Sequence, residues 1–166
     1  MGAEPDFAAF VGARGPSLVR LAQGLTGDRH LAEDLVQEAL AKAHLRRRRI
    51  ENHEAYVRQG ILNGFLSWRR RRSSYEVTTE ADALDARVQD DPAAGVAERL
   101  TLTAAVLRLP AKQRAVVVLR YLEDRTDGDI AALLGCSEST VRTQAQKALA
   151  ALRRTHTSPA AKEVSP

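Results

Sequence analysis

The chain has 166 residues, with 25 Lys and Arg against 21 Asp and Glu, which gives a formal net charge of +4 at pH 7. Charged residues make up 28% and hydrophobic residues 44% of the chain, a balance typical of a globular protein. No apolar run approaches the roughly 20 residues of a membrane span, the N-terminus has no signal-peptide pattern, and one cysteine excludes an intrachain disulfide or a thiolate metal cluster. These features predict a cytoplasmic protein with no metal and no cofactor, whose basic excess favours a polyanionic partner.

The first half of the chain is predicted to contain three helices, from the spacing of its apolar residues. They cover about residues 7–25, 31–45 and 54–72. Gly27 suits a left-handed conformation after the first helix. The second helix carries a polar stripe beside its apolar face, which on its own is most often a solvated surface: Asp34, Gln37 and Glu38.

Helical periodicity fades after residue 75 and returns at residue 97. The segment 76–96 is acidic and has no apolar period, which predicts a flexible linker. Four more helices are predicted at about residues 97–108, 111–122, 127–134 and 138–153, followed by a disordered tail at 155–166. No segment alternates with period two, so strands are not expected. The predicted fold is all-α, with helical bundles at residues 7–75 and 97–154.

The strongest motif lies at residues 126–142 and has the pattern of a helix-turn-helix. Two steeply crossing helices need a small residue at their contact, a turn that permits positive φ, and an apolar plug. Ala131, Gly135 and Val141 supply these in order, and Ser137 is a suitable N-cap for the second helix. An ordinary helical hairpin is the alternative. A helix-turn-helix predicts binding to duplex DNA.

The second helix of this motif is expected to bury Val141, Ala145, Leu149 and Leu152. Its opposite face, near the N-terminal end, is where recognition helices present side chains to the major groove. Arginine can bind guanine bidentately and glutamine can read adenine. The candidates for base contact are Ser139, Arg142, Thr143 and Gln146, and Lys147 is a candidate for phosphate contact; each could also be a solvated surface residue.

Arginines and aromatic residues are concentrated around the third helix. Single-stranded DNA is bound by cations that contact phosphates and by flat rings that stack on bases. Phe65 and Trp68 share a helical face with Val57 and Ile61, so both core and stacking roles remain open for them. The other face is favoured for DNA contact and carries Tyr56, Gln59, Asn63 and Arg70.

Taken together, these segments resemble sigma factors of the extracytoplasmic-function type, within the sigma-70 family. The matching landmarks are Gly27-Asp28 with the helix at 32–38, Ala55-Tyr56-Val57-Arg58 leading to Asn63, the arginine run at 69–72, and Leu109-Pro110-Ala111-Lys112-Gln113-Arg114 before the helix-turn-helix. The resemblance implies a region 2-like domain at 7–75 and a region 4-like domain at 97–154. It implies a non-enzymatic, alternative sigma factor that binds core RNA polymerase and promoter DNA and directs promoter recognition, melting and initiation. An anti-sigma factor is a further candidate partner.

The resemblance also implies roles for individual residues. The stripe of Asp34, Gln37 and Glu38 corresponds to a contact with a coiled coil of the polymerase clamp. The loop at 46–53 corresponds to the loop that captures a flipped base of the minus-ten element. The full set implied for that element is Arg47, Arg48, Asn52, His53, Tyr56, Asn63, Arg69, Arg70, Arg71 and Arg72. The set implied for the minus-thirty-five element is Ser139, Arg142, Thr143, Gln146 and Lys147.

Two other classes of function are alternatives to this one. An enzyme would need a Gly-rich phosphate loop, a nucleophile motif or a metal cluster, and the sequence has none of these patterns. A stand-alone transcriptional regulator with the same helix-turn-helix is the remaining alternative. It would bind its DNA site as a free protein, whereas a sigma factor should require core polymerase.

Overall fold

A computed structural model describes residues 3–75 and 94–156 of the chain. The chain divides into two compact units, residues 1–78 and residues 79–166. All regular structure within the described residues is helical, which confirms the all-α prediction. Residues 76–93 of the predicted linker (76–96) and residues 157–166 of the predicted tail (155–166) lie outside the described residues.

The first unit is a bundle of three helices, α1 (Ala3–Thr26), α2 (Arg29–Arg46) and α3 (His53–Tyr75). The turn between α1 and α2 forms as predicted at Gly27, whose φ is 67°. Asp28 then caps α2, because its side chain accepts a hydrogen bond of 3.1 Å from the Leu31 N–H. The core is built from the apolar faces of all three helices and includes Leu18, Leu21, Leu25, Leu35, Val36, Val57, Ile61 and Phe65.

Helices α2 and α3 approach each other closely at two glycines of α3. A Cβ atom on Gly60 would lie 3.2 Å from the Ala39 Cβ, and one on Gly64 would lie 2.9 Å from a Leu35 methyl. Glycine in the middle of a helix costs about 1 kcal/mol relative to alanine. The close contact accounts best for Gly60, since its neighbour Ala39 Cβ is fixed to the backbone of α2, whereas at Gly64 the Leu35 side chain would have to move.

The second unit contains α4 (Ala94–Leu107), α5 (Ala111–Val117), α6 (Asp127–Leu134) and α7 (Glu138–His156). The segment Val118–Leu122, predicted as the regular end of α5, forms a π-helical turn instead. Helix α4 begins three residues before the predicted position 97, and α7 extends two residues into the predicted tail. Leu109, Val117 and Ala148 form part of the core of this unit.

Arg114 is a buried cation that organises the turn between α4 and α5. Only 2% of its surface is exposed. Its guanidinium donates hydrogen bonds to the carbonyl oxygens of Leu107 and Leu109, the latter at 3.4 Å. Leu107 is the last residue of α4 and Leu109 follows the helix, so both carbonyls lie where backbone acceptors lack helical partners. Arg114, four residues after the proline of the Leu109-Pro110 segment, therefore stabilises this turn through its hydrogen bonds.

Candidate nucleic-acid interface

The helix-turn-helix is formed by α6 and α7, and its turn has the predicted chemistry. Thr126 caps α6 by accepting a hydrogen bond of 3.1 Å from the Asp129 N–H. Gly135 ends α6 in the left-handed conformation, with φ of 66°. The Ser137 hydroxyl accepts a hydrogen bond of 3.1 Å from the Thr140 N–H and so caps α7. Side-chain caps at both helix starts, and a glycine between the helices, define the direction in which α7 leaves the turn.

Helix α7 is divided into a buried face and an exposed face. Val141, Ala145 and Ala148 are buried, whereas Leu149 and Leu152 are only half-buried. Ala148 was not among the residues expected to be buried. The opposite face is exposed at all five positions predicted for the minus-thirty-five element, namely Ser139, Arg142, Thr143, Gln146 and Lys147. The structure thus brings these five side chains together on one solvent-facing surface, which we call the reading face.

Glu138, an acidic residue in the first turn of α7, contacts the reading face through an ion pair that was not predicted. Its carboxylate lies 3.7 Å from the Arg142 guanidinium. A Cβ atom on Gly128 would lie 3.2 Å from a Glu138 carboxylate oxygen, so this side chain also lies against the first turn of α6. The spacing of four residues between an acid and an arginine on a helix was the available signal for this ion pair.

The predicted clamp stripe lies on the exposed side of α2. Asp34, Gln37 and Glu38 are all exposed, and Leu35 and Val36 between them are buried. The Lys42 ammonium donates a hydrogen bond of 2.8 Å to Glu38. This bond and the charge of Lys42 lower the pKa of Glu38, and the positive charge of Arg71 on α3 lowers that pKa further. The carboxylate of Glu38 is therefore held in its ionised form.

The loop between α2 and α3 forms the wall of a pocket of about 550 Å³. The predicted residues Asn52 and Tyr56 line it, together with Arg46, Arg49, Ile50 and Glu51. Arg48 is exposed. Asn52 also caps α3, since its side-chain oxygen accepts a hydrogen bond of 3.0 Å from the Ala55 N–H. The pocket combines two arginines with an aromatic ring, a composition suited to a base and its phosphate.

Two residues predicted for DNA contact are engaged within their own domain. The Arg47 guanidinium donates a hydrogen bond of 2.8 Å to the His44 carbonyl oxygen. The His53 ring is half-buried, and its Nε2 lies 3.2 Å from the Arg47 carbonyl oxygen. Neither residue lines the pocket.

The remaining predicted residues lie along α3. Asn63 is exposed, and its side-chain oxygen accepts a hydrogen bond of 3.0 Å from the Gln59 amide. Phe65 is fully buried, so the core role applies to it. Trp68 is half-buried, and the Arg72 guanidinium lies 5.2 Å from the centre of its ring. Arg70 and Arg71 are exposed and Arg69 is half-buried.

No group of three or more His, Cys, Asp or Glu side chains in residues 3–75 and 94–156 could hold a metal ion. No helix within these ranges combines the length and the apolar character of a membrane span.

Each of the two units matches a known protein family. Residues 10–75 match the family described as Sigma-70 region 2, and residues 99–152 match Sigma-70, region 4. The chain is 38% identical over 156 residues to the RNA polymerase sigma-E factor of Streptomyces coelicolor, covering 92% of this chain and 87% of that protein. It is 31% identical over 144 residues to the ECF RNA polymerase sigma factor SigL of Mycobacterium tuberculosis, covering 83% of this chain and 81% of that protein.

A solved structure is similar over nearly the whole chain. It is the sigma factor RpoE of Bartonella quintana in complex with the anti-sigma factor NepR. The TM-score is 0.72 at 28% identity, and the match covers 91% of this chain and 96% of that one.

Proposed function

The chain belongs to the sigma-70 family of RNA polymerase sigma factors, of the extracytoplasmic-function type, and we propose that three exposed surfaces carry out its function. It is an alternative sigma factor for promoter recognition in transcription initiation. Sigma factors are regulatory and non-catalytic proteins. The comparisons do not favour a stand-alone regulator. The proposed site of action is the cytoplasm, where RNA polymerase works.

The reading face of α7 is proposed to bind the minus-thirty-five element in the major groove. The observation that carries this proposal is the division of α7 into one buried and one exposed face, with all five predicted polar residues on the exposed one. Arg142 and Gln146 can make bidentate contacts with guanine and adenine, respectively. Lys147 lies on the same face further along the helix, where a phosphate contact is suitable.

The pocket beside the loop of the first unit is proposed to receive a flipped base of the minus-ten element. Arg46 and Arg49 would contact the phosphates and Tyr56 would contact the base. The exposed Asn63, Arg70 and Arg71 on α3 would follow the melting DNA. The proposed boundaries of the region 2-like and region 4-like domains are residues 7–75 and 97–154, and the family matches at 10–75 and 99–152 support them.

The stripe on α2 is proposed to bind core RNA polymerase through the coiled coil of its clamp. Its three side chains are exposed on one helix whose other face is buried in the bundle. An anti-sigma factor is a further proposed partner, because the similar RpoE structure is a complex with the anti-sigma factor NepR. An anti-sigma factor that covers the stripe would compete with core polymerase for binding to it.

The stripe can be tested by binding of the full chain to purified core polymerase. Replacing Asp34 and Glu38 together by Ala should weaken core binding while leaving the helical circular dichroism intact, since both side chains are exposed. Glu33→Ala is a matched control, because Glu33 is an exposed acid on the same helix that pairs with Arg29 at 3.1 Å. Unchanged core affinity of the double variant would contradict the proposed clamp contact.

A promoter-binding assay separates the sigma factor from a stand-alone regulator. The free chain and the reconstituted holoenzyme are compared on the same promoter fragments and on scrambled controls. The holoenzyme should bind the promoter specifically and produce run-off transcripts, whereas the free chain should not discriminate. Specific binding by the free chain with no effect on transcription by core polymerase would favour the regulator.

A further inference from the structure

An aromatic cluster beneath the α2–α3 loop joins all three helices of the first unit. It consists of Phe7 and Phe10 of α1, His44 of α2 and His53 of α3. The ring centres of Phe7 lie 5.4 Å from His44 and 5.3 Å from His53, the latter in an edge-to-face arrangement. Phe10 lies 5.8 Å from His53. All these distances are typical of favourable aromatic pairs, and Phe7 is buried.

Hydrogen bonds extend this cluster into the loop. His53 Nε2 donates to the Arg47 carbonyl oxygen at 3.2 Å, which requires the proton to be on that nitrogen. The Arg47 guanidinium in turn donates to the His44 carbonyl oxygen at 2.8 Å. The start of the loop is thereby linked to its end, since His44 precedes the loop and His53 follows it.

The loop needs such support because of its own charge. Four consecutive arginines at 46–49 end α2 and begin the loop, and their like charges repel one another and favour an open conformation. The pocket wall is made from this same segment. A wall that is ordered before DNA arrives avoids the loss of conformational entropy at the moment of binding.

We propose that His53 and Phe7 are positioning residues for base capture, which hold the loop in the geometry that receives a flipped base without touching the DNA. For His53 this replaces the direct DNA contact implied by the family resemblance. The inference rests on the proposed function of the pocket. It also assigns a role to the first helix, which none of the predicted site residues occupies.

The test measures how strongly promoter binding depends on a single base. Holoenzymes are reconstituted with the wild-type chain, His53→Phe and Phe7→Leu. The first substitution keeps a ring and removes the hydrogen bond, whereas the second keeps apolar volume and removes the ring. Ile61→Val is the control, because Ile61 is a buried residue of α3 that belongs neither to the cluster nor to the pocket wall. The probe is a promoter selected by the wild-type holoenzyme from a randomised library, prepared intact and with single abasic sites through its minus-ten element.

For the wild type, an abasic site at the captured position should weaken binding by about tenfold or more, the range of one lost stacking contact. The ratio of affinities for the intact and the abasic promoter should fall severalfold in His53→Phe and Phe7→Leu while the affinity for core polymerase stays unchanged. Ile61→Val should keep the wild-type ratio. If both cluster variants retain the wild-type ratio, the positioning role is wrong. If both lose core affinity and helicity together, the cluster is a general folding element and the positioning role is equally refuted. Absence of any abasic effect in the wild type would instead refute base capture itself.

Discussion

Gly60 offers a quantitative test of the packing between α2 and α3. In an open helix position, replacing glycine by alanine stabilises by about 1 kcal/mol. At position 60 the new methyl group would lie 3.2 Å from the Ala39 Cβ, which is attached directly to the backbone of α2 and cannot rotate away. Overpacking of this kind costs typically 1–3 kcal/mol. Gly60→Ala should therefore leave the free energy of unfolding unchanged or lower it by up to about 2 kcal/mol, the difference between these two terms.

The reciprocal substitution isolates the contact. Ala39→Gly removes the methyl group that Gly60→Ala would meet, so the double variant moves one methyl group from α2 to α3. The double variant should be more stable than the sum of the two single effects predicts, with a coupling of about 0.5–3 kcal/mol. Gly12→Ala is the reference for an uncrowded helix position, because a Cβ atom there has no neighbour within 4 Å.

Urea unfolding followed by tryptophan fluorescence measures these changes. Trp68 is the only tryptophan and lies on α3, so its emission reports on the first unit. Additive effects in the cycle, together with a Gly60→Ala variant as stabilised as Gly12→Ala, would show that the two helices are not in contact at this point.

Three further predictions concern the charged surfaces. Arg142→Ala should lower the affinity for the preferred minus-thirty-five sequence by about 1–3 kcal/mol and flatten discrimination between variants of it. Full discrimination between these variants by the Arg142→Ala holoenzyme would exclude the assigned reading face. Replacing Arg70 and Arg71 by Ala should weaken binding to all promoters alike and reduce the salt dependence of binding. Lys42→Ala should raise the pKa of Glu38 towards its ordinary value, because Lys42 is the main cause of its lowering. Since the pKa of Glu38 is lowered in the folded chain, the Glu38–Lys42 pair stabilises the folded state at pH values above the ordinary carboxyl pKa. This stabilisation is lost as pH falls through the lowered pKa. The pKa of Glu38 can be measured by NMR titration of its carboxyl group, and an unchanged pKa in the Lys42→Ala variant would disprove this prediction.

Much of the second unit could be predicted from sequence because its determinants are local. The period of apolar residues along α7 shows which face is buried, and the complementary polar face follows without knowledge of any other helix. Gly135 and Ser137 act on their own backbone and that of the next turn, so their roles are also visible in a short segment. The same argument holds for Gly27 in the first unit.

The environments that sequence reasoning missed depend on distant partners. His53 packs edge-to-face against Phe7, which lies near the start of the chain. Arg114 looks like a surface residue in its own helix and is buried only because carbonyl groups at the end of α4 face it. The π-helical turn after α5 likewise has no signature in apolar spacing, since the residues at 116–119 are apolar in any register.

The packing of α2 against α3 has an electrostatic consequence for the proposed function. It brings Arg71 of α3 close enough to act on Glu38 of the acidic stripe. This is visible in the pKa of Glu38, which the charge of Arg71 lowers across the helix pair. Glu38 therefore slightly offsets the repulsion among the arginines at the end of α3. If the proposed contact of the stripe with core polymerase neutralises Glu38, this small offset is lost. The attraction of α3 for DNA phosphates should then increase slightly on binding of core polymerase.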